Sequence, residues 1–229
     1  MKRITFWLDF ISPYAYLAFE QLPQALVGIS HAVEYRPVLL GAMLQHHGQK
    51  GPAEIESKRA WTFRHVHWLA ARMGVAIETP LRHPFNPLPL ARLAIACGPN
   101  RRVCETIFRH VWRGGEDAVD ATRLAQLQNL LEPGVDPRDA AVKSALRANT
   151  DEAIAAGVFG VPSFGLDDGR VFWGLDALPM LADALRSDPW FDGPAWEREG
   201  APREGLKLRS PRDAGQLNPR PATGAAPPR

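Results

Sequence analysis

Sulfur is scarce in this chain. Only two of its 229 residues are cysteine, Cys97 and Cys104. Two cysteines are too few for a disulfide framework, and their spacing is neither a CxxC redox pair nor half of a zinc site. They read as two reduced thiols in or near helices. Long apolar runs are absent as well: none approaches the ~20 residues a membrane-crossing helix needs. The one early apolar stretch is broken by Asp9 and runs straight on into the fold, so no cleavable leader is read there and a cytoplasmic protein is expected. Nor is there a strong surplus of one charge, the net value being +2. Residues 198–229 hold seven basic side chains against three acidic ones, a local +4 that leaves the rest about −2. That body is not basic enough to suggest nucleic acid. His46, His47, His65 and His67 fall in a loop and on two sides of one expected helix, a pattern from which no metal site is expected.

The chain does contain an ordinary globular composition, 45% hydrophobic and 23% charged, at a length that can bury a proper core. Its most informative stretch is residues 4–19. An apolar, aromatic run ends at Asp9-Phe10, and Ser12-Pro13 then opens an apolar segment of helical periodicity. This predicts a strand, a tight turn and a helix with Ser12 as N-cap and Pro13 at the first helical position. The first N–H groups of a helix lack partners within it and carry partial positive charge, so an anion such as a thiolate is stabilised there. The strand-to-helix corner is therefore the expected place for chemistry.

Residues 3–9 predict a buried strand, 13–28 a helix, and 31–40 a second strand, together a βαβ unit. Helical segments follow at 55–73, 88–97, 101–113, 120–131 and 137–156, punctuated by proline and glycine. Strands return at 163–167 and 170–173 around an Asp167-Asp168-Gly169 turn, and a last helix is expected from about Asp176 to Arg186. The order β-α-β, helical block, β-β-α is an α/β thioredoxin-like fold with an all-helical insertion. Residues 1–42 and 150–190 would form the thioredoxin-like domain and 43–149 the insertion. From 194 to 229 the Pro-, Ala- and Arg-rich chain is expected to be a disordered or loosely attached tail. In such a fold a proline before the third strand, here Pro162 after Val161, is typically cis and faces the N-terminus of the first helix. It leaves the Val161 backbone free to pair with an extended ligand.

Three segments in this order resemble the 2-hydroxychromene-2-carboxylate isomerases, relatives of the kappa-class glutathione transferases and of the disulfide-oxidoreductase A group. They are Asp9-Phe10-Ile11-Ser12-Pro13-Tyr14-Ala15-Tyr16-Leu17-Ala18, then Val158-Phe159-Gly160-Val161-Pro162, then Phe172-Trp173-Gly174-Leu175-Asp176. Gly48-Gln49-Lys50 and Lys58 fall where that family has Gly-Asn-Lys and a later Lys. The likeness spans residues 3–188. It implies that Ser12 stands where redox relatives keep the first Cys of a CxxC, with Ala15 in place of the second, so disulfide exchange is closed to this corner. The thiol would come from glutathione as cofactor, its sulfur held by the Ser12 hydroxyl and the helix terminus. The Val161 backbone beside Pro162 would align the cysteinyl part, Asp176 would meet the γ-glutamyl ammonium, Lys50 and Lys58 would serve carboxylates of cofactor or substrate, and Gln49 would join the cofactor-binding residues. Three departures bear on the substrate: Gln49 for Asn, Leu175 for an Asn, and Ala177 for an Arg.

The activity implied is glutathione-dependent cis–trans isomerisation of an aromatic hydroxy-enoyl pyruvate from aromatic degradation, by a homodimer. Trp61, Phe63, Trp68, Phe85 and Trp112 are candidates for the wall of an aromatic pocket. Two other readings stand beside this one: a kappa-like transferase or peroxidase, and a non-catalytic thioredoxin-like module that binds extended peptides along Val161-Pro162.

Overall fold

The structure is a computed structural model in which residues 1–201 are described. Four strands, β1 (Lys2–Leu8), β2 (His31–Pro37), β3 (Ser163–Leu166) and β4 (Val171–Trp173), form one sheet in the order β2-β1-β3-β4. β1 runs parallel to β2, pairing Lys2 with His31 through Leu8 with Pro37. β3 runs antiparallel to β1, with Phe6 opposite Phe164, and β4 antiparallel to β3. The parallel pair is connected by α1 (Pro13–Ala25). Between β2 and β3 lie six helices: α2 (Leu40–His46), α3 (Glu56–Met73), α4 (Leu88–Ala96), α5 (Arg101–Trp112), α6 (Ala121–Leu131) and α7 (Ala140–Ala155). After β4 come a 3₁₀ turn, Leu175–Ala177, and α8 (Leu178–Leu185). The α/β thioredoxin-like order expected from the pattern is present. Met1–Asp188 forms one compact unit that holds both the sheet and the helical block. A second unit starts at Pro189 and contains α9 (Pro189–Asp192) and α10 (Ala195–Gly200). Of the tail expected from 194 onward, α10 is thus helical, and residues 202–229 lie outside the described residues.

Alternation in β1 gives the sheet two buried faces. Ile4, Phe6 and Leu8 point one way and are almost fully buried. Phe6 meets Phe164 with ring centroids 4.6 Å apart, and Phe19 of α1 packs on Tyr35 at 5.7 Å. Trp7 points the other way into a cluster with Val38, Met43, Ala153, Val158 and Val161. Gly165 on β3 makes room for this indole, since a Cβ there would sit 2.5 Å from the Trp7 ring.

Three sequence expectations are corrected. The second strand stops at Pro37, and residues 40–46 form α2, which periodicity did not announce. The first helix ends at Ala25 rather than Gly28, and it contains Pro23. Proline has no N–H for the carbonyl four residues back. That carbonyl, Phe19 O, instead accepts a hydrogen bond from the Arg101 guanidinium at 2.7 Å, and the same guanidinium lies 3.7 Å over the Phe19 ring. The last helix begins at Leu178, with Asp176 in the 3₁₀ turn ahead of it.

Candidate functional site

The turn from β1 into α1 is held by hydrogen bonds from far along the chain. Ser12 is the N-cap of α1: its Oγ accepts the Ala15 N–H at 3.2 Å, and its carbonyl accepts the Tyr16 N–H at 3.1 Å. Capping uses a lone pair and leaves the hydroxyl hydrogen of Ser12 available to an acceptor. The two carbonyls ahead of it are fixed from the helical block: Trp112 Nε1–H donates to Phe10 O at 3.0 Å, and His83 Nε2–H donates to Ile11 O at 2.9 Å. A carbonyl only accepts, so the His83 proton is on Nε2. Burial lowers the pKa of this imidazole and keeps it neutral. Asp9 is fully buried beside them. Its Oδ1 accepts the Ile11 N–H at 3.2 Å and its Oδ2 the Leu40 N–H at 2.9 Å. Burial nevertheless dominates these bonds and pushes its carboxyl up to about 6.

The Val161-Pro162 peptide is cis. Val161, Pro162, Trp173, Asp176, Tyr14 and His65 all face a cleft of about 820 Å³. Four elements supply them: the head of α1, the segment before β3, the β4-to-α8 turn, and α3. Gly174, with φ +105°, is part of this construction. A Cβ there would collide with Asp176 Oδ1, so glycine permits the carboxylate to lie back against the turn. Tyr14 Oη and His65 Nδ1 are hydrogen-bonded at 2.9 Å across the cleft wall. Burial, aided by the Asp176 carboxylate, raises the Tyr14 pKa, so its hydroxyl stays protonated.

Of the residues expected from sequence, Val161, Pro162 and Asp176 are therefore brought together. Ser12 lies two residues before Tyr14, is buried at 6% exposure, and is not among the residues that line the cleft. Gln49 and Lys50 are exposed in the loop after α2, and Lys58 is exposed in the first turn of α3; none of the three lines the cleft. The aromatic wall expected from Trp61, Phe63, Trp68, Phe85 and Trp112 is corrected, since none of them lines it. Trp112 and Phe85 are core, Phe63 packs against His83, and Trp61 and Trp68 are largely exposed. The aromatic rings of the cleft are Tyr14, His65 and Trp173. Tyr14 was within view, next to Ser12-Pro13 on the first turn of the helix. His65 carried a signal in its spacing, three and four residues from Trp68 and Trp61 and so on one helical face with them.

Neither cysteine is equipped to act. Cys104 is fully buried in α5, and burial drives its thiol well above the usual range; burial raises Cys97 as well. Among the described residues no group of His, Cys, Asp and Glu side chains is placed to hold a metal ion, and no helix is long and apolar enough to cross a membrane.

A family model, the DSBA-like thioredoxin domain, matches residues 3–186. Among curated proteins, the chain is 27% identical over 220 residues to glutathione S-transferase kappa 2 of Caenorhabditis elegans, covering 86% of this chain and 97% of that protein. It is 28% identical over 194 residues to 2-hydroxychromene-2-carboxylate isomerase of Sphingobium xenophagum, covering 80% and 98%. Among solved structures, a 2-hydroxychromene-2-carboxylate isomerase superposes with a TM-score of 0.71 at 22% identity, covering 83% of this chain and 97% of that one. A probable DsbA oxidoreductase from Streptomyces coelicolor does so with 0.60 at 21%, covering 92% and 95%.

Proposed function

The chain belongs to the DSBA-like thioredoxin domain family, and from that premise we propose that it is a glutathione-dependent cis–trans isomerase of 2-hydroxychromene-2-carboxylate-type aromatic compounds. One observation carries the reading. The corner where thioredoxin-like chemistry takes place has Ser12 and Ala15 in place of thiols, and both cysteines lie elsewhere, Cys104 buried and Cys97 half-buried, yet the cleft with its Val161-Pro162 edge is present. A nucleophilic sulfur must then arrive with a ligand, and the curated relative named glutathione S-transferase kappa 2 supports glutathione as that ligand.

In this reading the cysteinyl backbone of glutathione lies along Val161, and its ammonium meets Asp176. The sulfur comes to the N-terminus of α1, where the Ser12 hydroxyl hydrogen and the positive end of the helix dipole stabilise the thiolate. The thiolate adds to a conjugated enone carbon, the former double bond rotates as a single bond, and expulsion of the thiolate restores it in the trans form. Lys50 and Lys58 belong to the proposal as groups for carboxylates of cofactor or substrate, and Gln49 as their neighbour. For these three the loop after α2 and the head of α3 would have to draw in towards the ligand. A cytoplasmic homodimer completes the reading.

The kappa-like alternative uses the same thiolate without expelling it, and the 27% identity to a kappa transferase favours keeping it as the second reading. A stable conjugate with chlorodinitrobenzene, and no isomerisation, would select it. The test of the main reading is Ser12→Ala. The thiolate absorbance of bound glutathione should shift to higher pH by about one unit, with turnover falling at least tenfold. Turnover equal to native at saturating glutathione rejects the role given to Ser12.

A further inference from the structure

The cleft has a second hydroxyl, better exposed to a ligand than that of Ser12, and a histidine fixed behind it. Tyr14 faces the cleft with Val161, Pro162 and Asp176. Its Oη is 2.9 Å from His65 Nδ1. The His65 ring is held between two indoles of its own helix: Trp61 and Trp68 stack on it at 6.1 Å each, with interplanar angles of 13° and 18°. Such packing sets the plane of the imidazole and aims Nδ1 at Tyr14. Ser12, in contrast, is buried at 6% exposure, and its oxygen accepts the Ala15 N–H of the helix cap.

We propose that Tyr14 is a catalytic residue of this cleft, donating its phenolic hydrogen to the oxygen of a carbonyl-bearing electrophile as the sulfur adds, and that His65 is its positioning residue. The inference rests on the reading of the site as one that binds glutathione. His65 in its Nδ1–H tautomer donates to Tyr14 Oη, which turns the phenolic hydrogen towards the cleft. The chain His65 N–H to Tyr14 O–H to ligand oxygen is cooperative, each bond polarising the next.

A sulfur lone pair forms the C–S bond at the β-carbon, the carbon–carbon π pair moves towards the carbonyl, and the negative charge comes to rest on the carbonyl oxygen. There it receives the Tyr14 hydrogen bond with no proton transferred. Reversal re-forms the carbonyl and the carbon–carbon double bond as sulfur leaves with its pair, which completes an isomerisation. If a solvent proton reaches the α-carbon first, a thioether results. Ser12 thus serves the sulfur, and Tyr14 serves the oxygen that becomes charged when the sulfur adds. The substrates favoured are enones and enals over electrophiles that develop no oxyanion.

The experiment compares two electrophiles on full-length protein with saturating glutathione: benzylideneacetone, whose carbonyl oxygen takes up charge, and nitrobenzyl chloride, which reacts by displacement. Calorimetry first measures glutathione binding to the native protein, and absence of binding there rejects the function proposed above. With binding established, Tyr14→Phe is expected to lower the benzylideneacetone-to-nitrobenzyl chloride rate ratio by roughly tenfold to a hundredfold, at or below the roughly hundredfold to thousandfold typical for loss of one oxyanion donor. His65→Leu lowers the same ratio, and His65→Gln, which keeps a donor N–H, recovers most of it. A Tyr14→Phe or His65→Leu protein that binds glutathione and keeps the ratio within threefold of native overturns the inference. So does native protein that binds glutathione and leaves benzylideneacetone unaccelerated.

Discussion

Asp9 is a fully buried carboxyl that accepts the N–H groups of Ile11 and Leu40. Desolvation disfavours its charged form more than the hydrogen bonds favour it, and its folded pKa is about 6 against 3.8 for the free side chain. The folded state therefore holds this proton more tightly than the unfolded chain does. Its contribution to stability is fully present below pH 3.8 and is lost as pH rises through 6. At ~1.4 kcal/mol per pH unit between the two values, the swing is on the order of 3 kcal/mol. Asn at position 9 gives up one of the two accepted bonds and cannot ionise. Urea unfolding of native and Asp9→Asn protein from pH 4 to 7.5 should show native losing ground to the variant by that amount. A difference that stays flat across the range would dismiss the buried-acid account.

At the scale of elements, α1 survives a proline because α5 supplies the missing donor. Arg101→Met leaves Phe19 O buried without its guanidinium partner and removes the cation over the Phe19 ring, and should cost about 1–3 kcal/mol in chemical denaturation. In a Pro23→Ala background the alanine N–H can bond Phe19 O within the helix, so the same Arg101→Met change should cost measurably less. Additive costs in that cycle would mean that the guanidinium does not compensate for the proline. Elements of this kind also mark what the amino-acid order made legible. β1, α1, β2, the β3–β4 hairpin and most helices of the block were visible because period and punctuation are local. α2 was not, because its first N–H is capped by Asp9, 31 residues away. Nor was the fate of Trp112, whose helical spacing fits a pocket wall and a core equally well. Its burial follows from a partner 102 residues distant, Phe10 O.

For the whole molecule, the sequence showed which residues of the candidate site belong to the corner and its facing edge, and less of what lies around them. Ser12, Val161, Pro162 and Asp176 sit in short motifs that fix their own backbones. Tyr14, His65 and Trp173 come to the same cleft from three elements only after the sheet and helical block have packed. A ligand that bridges those elements binds the native state alone and so stabilises the molecule. Glutathione at a hundred times its dissociation constant should add about 2.7 kcal/mol, seen as a rise of several degrees in the thermal midpoint. Ser12→Ala protein at the same concentration should rise less. A midpoint indifferent to millimolar glutathione would count against the proposed function.

The placement of both cysteines away from the corner has a chemical sequel. Peroxides and alkylating agents ordinarily disable thioredoxin-like catalysts by attacking a thiolate that belongs to the polypeptide. If the proposed function holds, the vulnerable sulfur belongs to a diffusible tripeptide, so an injured nucleophile would be exchanged for a fresh one and the protein would outlast the insult.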